Sequence, residues 1–148
     1  MKPIKIILSA AALIAISSTA VAQFQNAEKA IEYRQSVMTV MGTHFGRIGA
    51  VAKGETPYNK DEVAKNAAIV AMMSNLPWQA FGPGTEGGKS RPDVWSDSAK
   101  FKSAADKLQV ATANLNTAAQ SGDLESIKKA FGATGQACKG CHDDFKKK

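Results

Sequence analysis

The chain has 148 residues, with 19 Lys and Arg against 13 Asp and Glu, a net charge of +6. With two cysteines and 44% hydrophobic residues, it is long enough for one domain with one core, and it is not a disulfide-built scaffold. The charge is too weak, and too poor in basic stretches interleaved with aromatics, to point to nucleic acid.

Residues 1–22 read as a signal peptide. Lys2 and Lys5 form the basic start, Ile6 to Ile16 the apolar centre, and Ala20-Val21-Ala22 a small-residue cleavage site before Gln23. The apolar stretch is too short for a permanent span, so export to the periplasm without a membrane span is expected. Without Lys2 and Lys5 the balance is 17 basic against 13 acidic side chains, a net of +4.

Residues 23–148 read as one all-α domain of four helices. The first covers about residues 26–52, with Asn26 as N-cap and Gly54 and Pro57 beyond its end. Its inward positions, Ala27, Ile31, Arg34, Met38, Met41, Phe45, Ile48 and Ala52, alternate steps of four and three, as a bundle seam requires. One member, Arg34, is charged. Gly42, Gly46 and Gly49 lie off this seam, where small residues let another helix approach.

The second helix opens at Asn59, with Glu62 placed to complete a capping box. It carries Val63, Ala67, Val70 and Met73 and ends near Leu76, before Pro77. Residues 82–92 form a long Gly- and Pro-rich loop, of the kind that often carries function. The third helix starts near Ser96 or Asp97, shows Phe101, Ala104, Leu108, Ala111, Leu115 and Ala118 inward, and stops at Gly122. Asp123 caps the fourth, whose seam is Leu124, Ile127, Phe131, Thr134, Cys138, Cys141 and Phe145. The short turn at Gly122 makes the last two helices antiparallel. The expected fold is an antiparallel up-down four-helix bundle.

The last helix carries Cys138-Lys139-Gly140-Cys141-His142. Cys-x-x-Cys-His is the attachment signature of c-type haem. Two thiols at this spacing add across the vinyl groups of one porphyrin, and the adjacent imidazole becomes an axial ligand to iron. A redox thiol pair would normally follow a strand, and none is predicted. A zinc site would need further ligands, and the only other histidine is His44. One covalent haem near the end of the last helix is therefore expected, and its bulk would fill a seam rich in alanine. Lys146, Lys147 and Lys148 read as a helix C-terminal charge complement and solubilising tail. The other reading of these lysines is a docking patch for an acidic redox partner.

Over the whole length after residue 22, the chain resembles the cytochromes c prime. The likeness rests on Cys138-x-x-Cys141-His142, Tyr33-Arg34-Gln35, Pro77-Trp78-x-x-Phe81-Gly82-Pro83-Gly84-Thr85-Glu86-Gly87-Gly88 and Arg91-Pro92-x-Val94-Trp95. The resemblance implies haem c bound through Cys138 and Cys141, with His142 as proximal iron ligand. It also implies Arg34 and Gln35 at the propionates, Thr85 and Glu86 against the haem edge, and Met38 closing the distal face. A homodimer through helices one and two is implied as well. Two positions depart from the family pattern. Met38 stands where leucine is common, and Lys146 stands where relatives carry an arginine in the proximal pocket, which removes the planar fork.

Two functions follow. One is a five-coordinate high-spin haem protein of the periplasm that binds NO or CO, carries electrons to redox partner proteins, or does both. The other is a low-spin electron-transfer cytochrome with Met38 as sixth ligand, which would raise the potential and close the iron to gases. His44 lies six residues past Met38, about 9 Å along the helix, and should miss the iron. No distal acid–base pair stands near Met38, so no enzymatic activity is expected.

Overall fold

The structure, a computed structural model, describes residues 23–148; the expected signal peptide, 1–22, lies outside the described residues. Four long helices form the bundle: α1 (Ala27–Ala52), α2 (Lys60–Met73), α4 (Ser98–Ser121) and α5 (Leu124–Phe145), with a one-turn α3 (Asp93–Ser96) before α4. A 3-10 turn, Pro77–Phe81, follows α2. Helix α2 packs between α1 and α4, and α5 packs on α4 and closes back on α1. Among the described residues no helix is long and apolar enough to cross a membrane.

Local chemistry sets the helix ends. Asn26, Asn59, Asp97 and Asp123 each accept a backbone N–H three residues on, from Lys29, Glu62, Lys100 and Ser126. Helix α4 ends at Gly122, whose φ of +80° is the left-handed conformation that glycine adopts without a Cβ clash. Tyr58 donates to the Gly122 carbonyl at 2.8 Å, tying the α1–α2 connection to the α4–α5 turn.

Two details differ from the sequence expectation. Helix α2 stops at Met73, because i→i+3 bonds from Asn75 to Met72 and from Leu76 to Met73 tighten the chain before Pro77. The buried face of α4 is Ala105, Leu108, Thr112, Leu115 and Ala119, with Ala104, Ala111 and Ala118 only half-buried. Lying between α2 and α5, this helix needs a face wider than a single seam.

The bundle is filled most tightly at one end. Ile48, Leu115 and Ile127 are at most 1% exposed there, beside buried Val63, Ala67 and Ala119. An added Cβ on Gly49 would lie 2.9 Å from Phe131 Cζ, so this glycine gives the ring its place, stacked on Phe45 with centroids 4.4 Å apart. Gly42 and Gly46 face open space instead.

Candidate functional site

At the other end the helices enclose a cavity of about 510 Å³. Helix α1 contributes Arg34, Gln35, Met38, Thr39, Met41, Gly42 and Phe45; α4 contributes Phe101, Leu108 and Thr112; α5 contributes Thr134, Cys138, Cys141, His142 and Phe145. Trp78, Phe81, Lys89, Ser90, Val94, Val70 and Lys146 complete it. Seven of the nine expected site residues therefore share one cavity. The volume lies within the roughly 300–1,000 Å³ typical of pockets for organic ligands.

Cys138 and Cys141 are free thiols, half-buried, one helical turn apart on α5. Burial pushes the Cys138 thiol up. It pushes Cys141 up to about 11, with Cys138 and Asp144 adding to the shift. Two neutral thiols facing an enclosed apolar space fit addition to porphyrin vinyl groups. Among the described residues no group of three or more His, Cys, Asp and Glu could hold a bare metal ion, which speaks against zinc.

His142 keeps solvent access, yet the surrounding protein lowers its pKa, and Lys146 lowers it further against an opposing effect of Asp143. A neutral imidazole is the form that ligates iron. Asp143 and Asp144 are held by lysines, Lys139 and Lys100 respectively. The other histidine, His44, shares a 2.7 Å hydrogen bond with Asn66 Oδ1 and does not line the cavity.

The polar groups around Met38 are occupied. Thr39, Thr112 and Thr134 donate to the carbonyls of Gln35, Gln109 and Ala130 in their own helices, at 2.9, 3.0 and 2.9 Å. Ser74 and Thr112 also share a 2.9 Å hydroxyl contact. The indole N–H groups of Trp78 and Trp95 donate to the carbonyls of Ser74 and Gly82. Met38 itself is half-buried and packs against the core. These threonine hydroxyls therefore bring no free proton to the cavity, whose remaining polar groups include Arg34, Gln35 and Ser90.

Arg34 is 3% exposed, and its partners within the chain are carbonyls. Nη1 donates to the carbonyls of Ala80 and Thr85 at 2.7 and 2.8 Å, and Nη2 to that of Gly87 at 3.0 Å. The guanidinium also lies 4.6 Å from the Phe81 ring centroid and 5.5 Å from that of Trp95. Burial lowers its pKa, with Glu86 opposing. Carbonyls and ring faces of the chain thus satisfy much of this buried cation. Three of its five N–H groups are used this way, leaving Nε and one Nη2 proton without a protein acceptor among the described residues.

Thr85 and Glu86 are not among the residues lining the cavity. The Thr85 hydroxyl bonds back to Gly82 and Ala80 at 2.7 and 3.1 Å, shaping the loop that accepts Arg34. Glu86 lines a separate groove with Pro83, Trp95 and Lys102. The sequence reading did not assign Lys89 and Ser90 to the site. Ser90 forms an isolated β-bridge with Lys146, which draws the loop over the cavity mouth. The only sequence signal was the Gly87-Gly88 pair, which adopts φ of +121° and +58°.

The family model for cytochrome C′ matches residues 29–146. The cytochrome c′ of Alcaligenes xylosoxydans xylosoxydans is 47% identical over 126 residues, covering 85% of this chain and 99% of that protein. The cytochrome c′ of Rubrivivax gelatinosus is 51% identical over 129 residues, covering 85% and 100%. Among solved structures, a nitric oxide complex of a cytochrome c prime variant from Alcaligenes xylosoxidans is similar with a TM-score of 0.83 and 46% identity, covering 85% of this chain and all of that one. A ferrous variant of the same protein with bound NO is 47% identical, with a TM-score of 0.83 over 85% of this chain and 99% of that one.

Proposed function

The chain belongs to the cytochrome c′ family, and from that premise we propose a periplasmic haem protein that keeps one axial position open to NO and CO and exchanges single electrons with partner proteins. Its cofactor is one covalently attached haem c. When bound, the haem supplies an iron that takes up a diatomic gas or changes oxidation state by one electron. Everything else falls to this chain.

Cys138 and Cys141 anchor the porphyrin through thioethers, and His142 offers its neutral ring nitrogen as the proximal ligand. Met38 closes the opposite face with carbon and sulfur and carries no proton to donate. The nearby hydroxyls of Thr39, Thr112 and Thr134 are spent on their own helices. Bound oxygen would find no donor in these threonines, whereas NO needs none. The two N–H groups left on Arg34, together with the exposed Gln35 amide, suit the propionates. Lys146 supplies one positive charge to the proximal pocket, without the fork of an arginine.

The observation that carries this reading is the convergence of Cys138, Cys141, His142 and Met38 on one cavity whose threonine hydroxyls have no free proton. The solved relatives with NO bound favour an open position over Met38 ligation. Absorption and EPR spectra of the ferric protein at neutral pH test it. A high-spin signal is expected. A low-spin spectrum with a near-infrared sulfur band, lost in Met38→Ala, would establish the low-spin electron carrier instead.

A homodimer through α1 and α2 is part of the proposal. Its support is the exposed Val40 on α1 and Met72 on α2, 39% and 58% accessible. Sedimentation at a mass of one chain would reject it. No enzymatic turnover is proposed, since the neighbouring Asp143 and Asp144 are engaged by lysines.

A further inference from the structure

Most cations around the cavity mouth have an acid of their own. Lys100 pairs with Asp144 at 2.9 Å, Lys102 with Asp106 at 2.7 Å, Arg91 with Asp93 at 3.1 Å, and Lys139 with Asp143. Lys89, Lys146 and Lys147 have no carboxylate within ion-pair distance among the described residues, and Lys89 and Lys146 line the cavity itself.

These three lysines come from chain segments far apart in sequence and are fastened together by backbone. Arg91 N–H donates to the Phe145 carbonyl and Lys147 N–H to the Lys89 carbonyl, both at 2.9 Å, on either side of the Ser90–Lys146 bridge. The loop strand is seated on α1 so closely that a Cβ on Gly88 would lie 2.8 Å from Ile31 Cγ2 and 2.9 Å from Gln35 Nε2. Phe145, the residue before Lys146, is buried. The lysines therefore stand on a two-stranded clip anchored at both edges rather than on a loose tail, which lowers the entropy lost when a partner orders them.

We propose that this clip is the docking face for an acidic electron-transfer protein. The proposal rests on the electron-carrying part of the reading above. Three uncompensated positive charges gathered at the cavity edge create a local field, while the paired charges around them largely cancel. Glu86, in the same loop, lines the separate groove, and the Arg34 and Gln35 donors proposed for the propionates stand on α1 rather than on the clip. Partner charge of the opposite sign would bring its redox centre to the edge where electrons leave.

The test uses the ferrous holoprotein and two small oxidants of opposite charge, hexacyanoferrate(III) and tris(phenanthroline)cobalt(III), in stopped flow. In each reaction the haem iron gives up one electron and the oxidant's metal accepts it; no bond forms and no proton moves. Lys89→Glu with Lys147→Glu should slow the anionic oxidant about tenfold at low ionic strength and speed the cationic one. Both effects should vanish near 1 M salt, where screening acts over about 3 Å. The neutralising pair Lys89→Gln with Lys147→Gln should fall between, which guards against a folding artefact. Lys65→Glu with Lys129→Glu changes net charge equally at exposed sites outside the cavity lining, and should alter either rate by less than about twofold. Equal slowing by both glutamate pairs would mean that net charge alone acts, and would overturn the proposal. So would a clip variant with unchanged rates. A ferrous protein that neither oxidant oxidises would overturn the electron-carrying reading itself, and the docking face with it.

Discussion

Ile48, Leu115 and Ile127 finish one end of the bundle as a sealed apolar plug, at most 1% exposed. The other end is built from the same four helices, yet it leaves a cavity of about 510 Å³ whose lining mixes buried side chains such as Leu108 and Phe145 with half-buried and exposed ones such as Met38 and Gln35. The stacked pair Phe45 and Phe131 marks the boundary, with Phe45 lining the cavity and Phe131 filling the notch over Gly49. The difference separates two ways of satisfying a bundle. One end is stabilised by its own side chains in close contact. The other leaves room around the haem-attachment signature, with its threonine hydroxyls tied back to carbonyls of the chain. Stability and chemistry are therefore expected to respond to different substitutions.

The largest expected effect is at the sealed end. Leu115→Ala removes a fully buried side chain and should cost about 2–5 kcal/mol in guanidinium unfolding of the holoprotein, with the haem spectrum of the native state unchanged. A changed spectrum would break the separation between the ends. At the open end, Arg34→Leu strips the donor from the carbonyls of Ala80, Thr85 and Gly87. It should cost about 2–3 kcal/mol and also expose the 82–92 loop to limited proteolysis. An intact loop after this change would mean that Arg34 does not hold it. Between the ends, Gly49→Ala gains helix propensity but forces Phe131 to move, for a net loss of about 1 kcal/mol. In a Phe131→Ala background the same change should become stabilising, and a double-mutant cycle measures the switch.

The smallest effect concerns the cap of α5. The Asp123 carboxyl lies below its ordinary value because the Ser126 side chain and backbone N–H both donate to it. A lowered folded-state value means that this contribution is present above the ordinary carboxylate range and is lost as the pH falls through the folded value. Asp123→Asn should therefore lower Tm slightly at neutral pH, and the two proteins should converge in acid. Parallel curves at all pH values would show that the charge contributes nothing.

Local features of this chain were legible because their chemistry spans a few residues. The expected caps Asn26, Asn59 and Asp123 hold the backbone N–H three residues on, Asp97 rather than Ser96 does so for α4, and Gly122 takes the left-handed conformation. The turn Asp93–Ser96 escaped notice because four residues carry no periodicity. Thr112 was missed as a core position because its hydroxyl reads as surface, and only the carbonyl of Gln109 and the hydroxyl of Ser74 make it suitable for burial. What Thr85 and Glu86 touch was not legible locally: the loop turns Thr85 toward Arg34 and sets Glu86 in the outer groove.

By itself the sequence determined the four long helices, their order and the haem-attachment signature Cys138-x-x-Cys141-His142, since each depends on spacing within a turn or two. Which side chains face those residues was decided only by tertiary structure. Met38 and Arg34 lie a hundred residues upstream, and nothing local distinguishes a seam position beside a cavity from one beside a plug. The Ser90–Lys146 bridge is the clearest case, because its pairing comes from backbone groups, which every residue carries alike. Only the path of the chain could choose that pair.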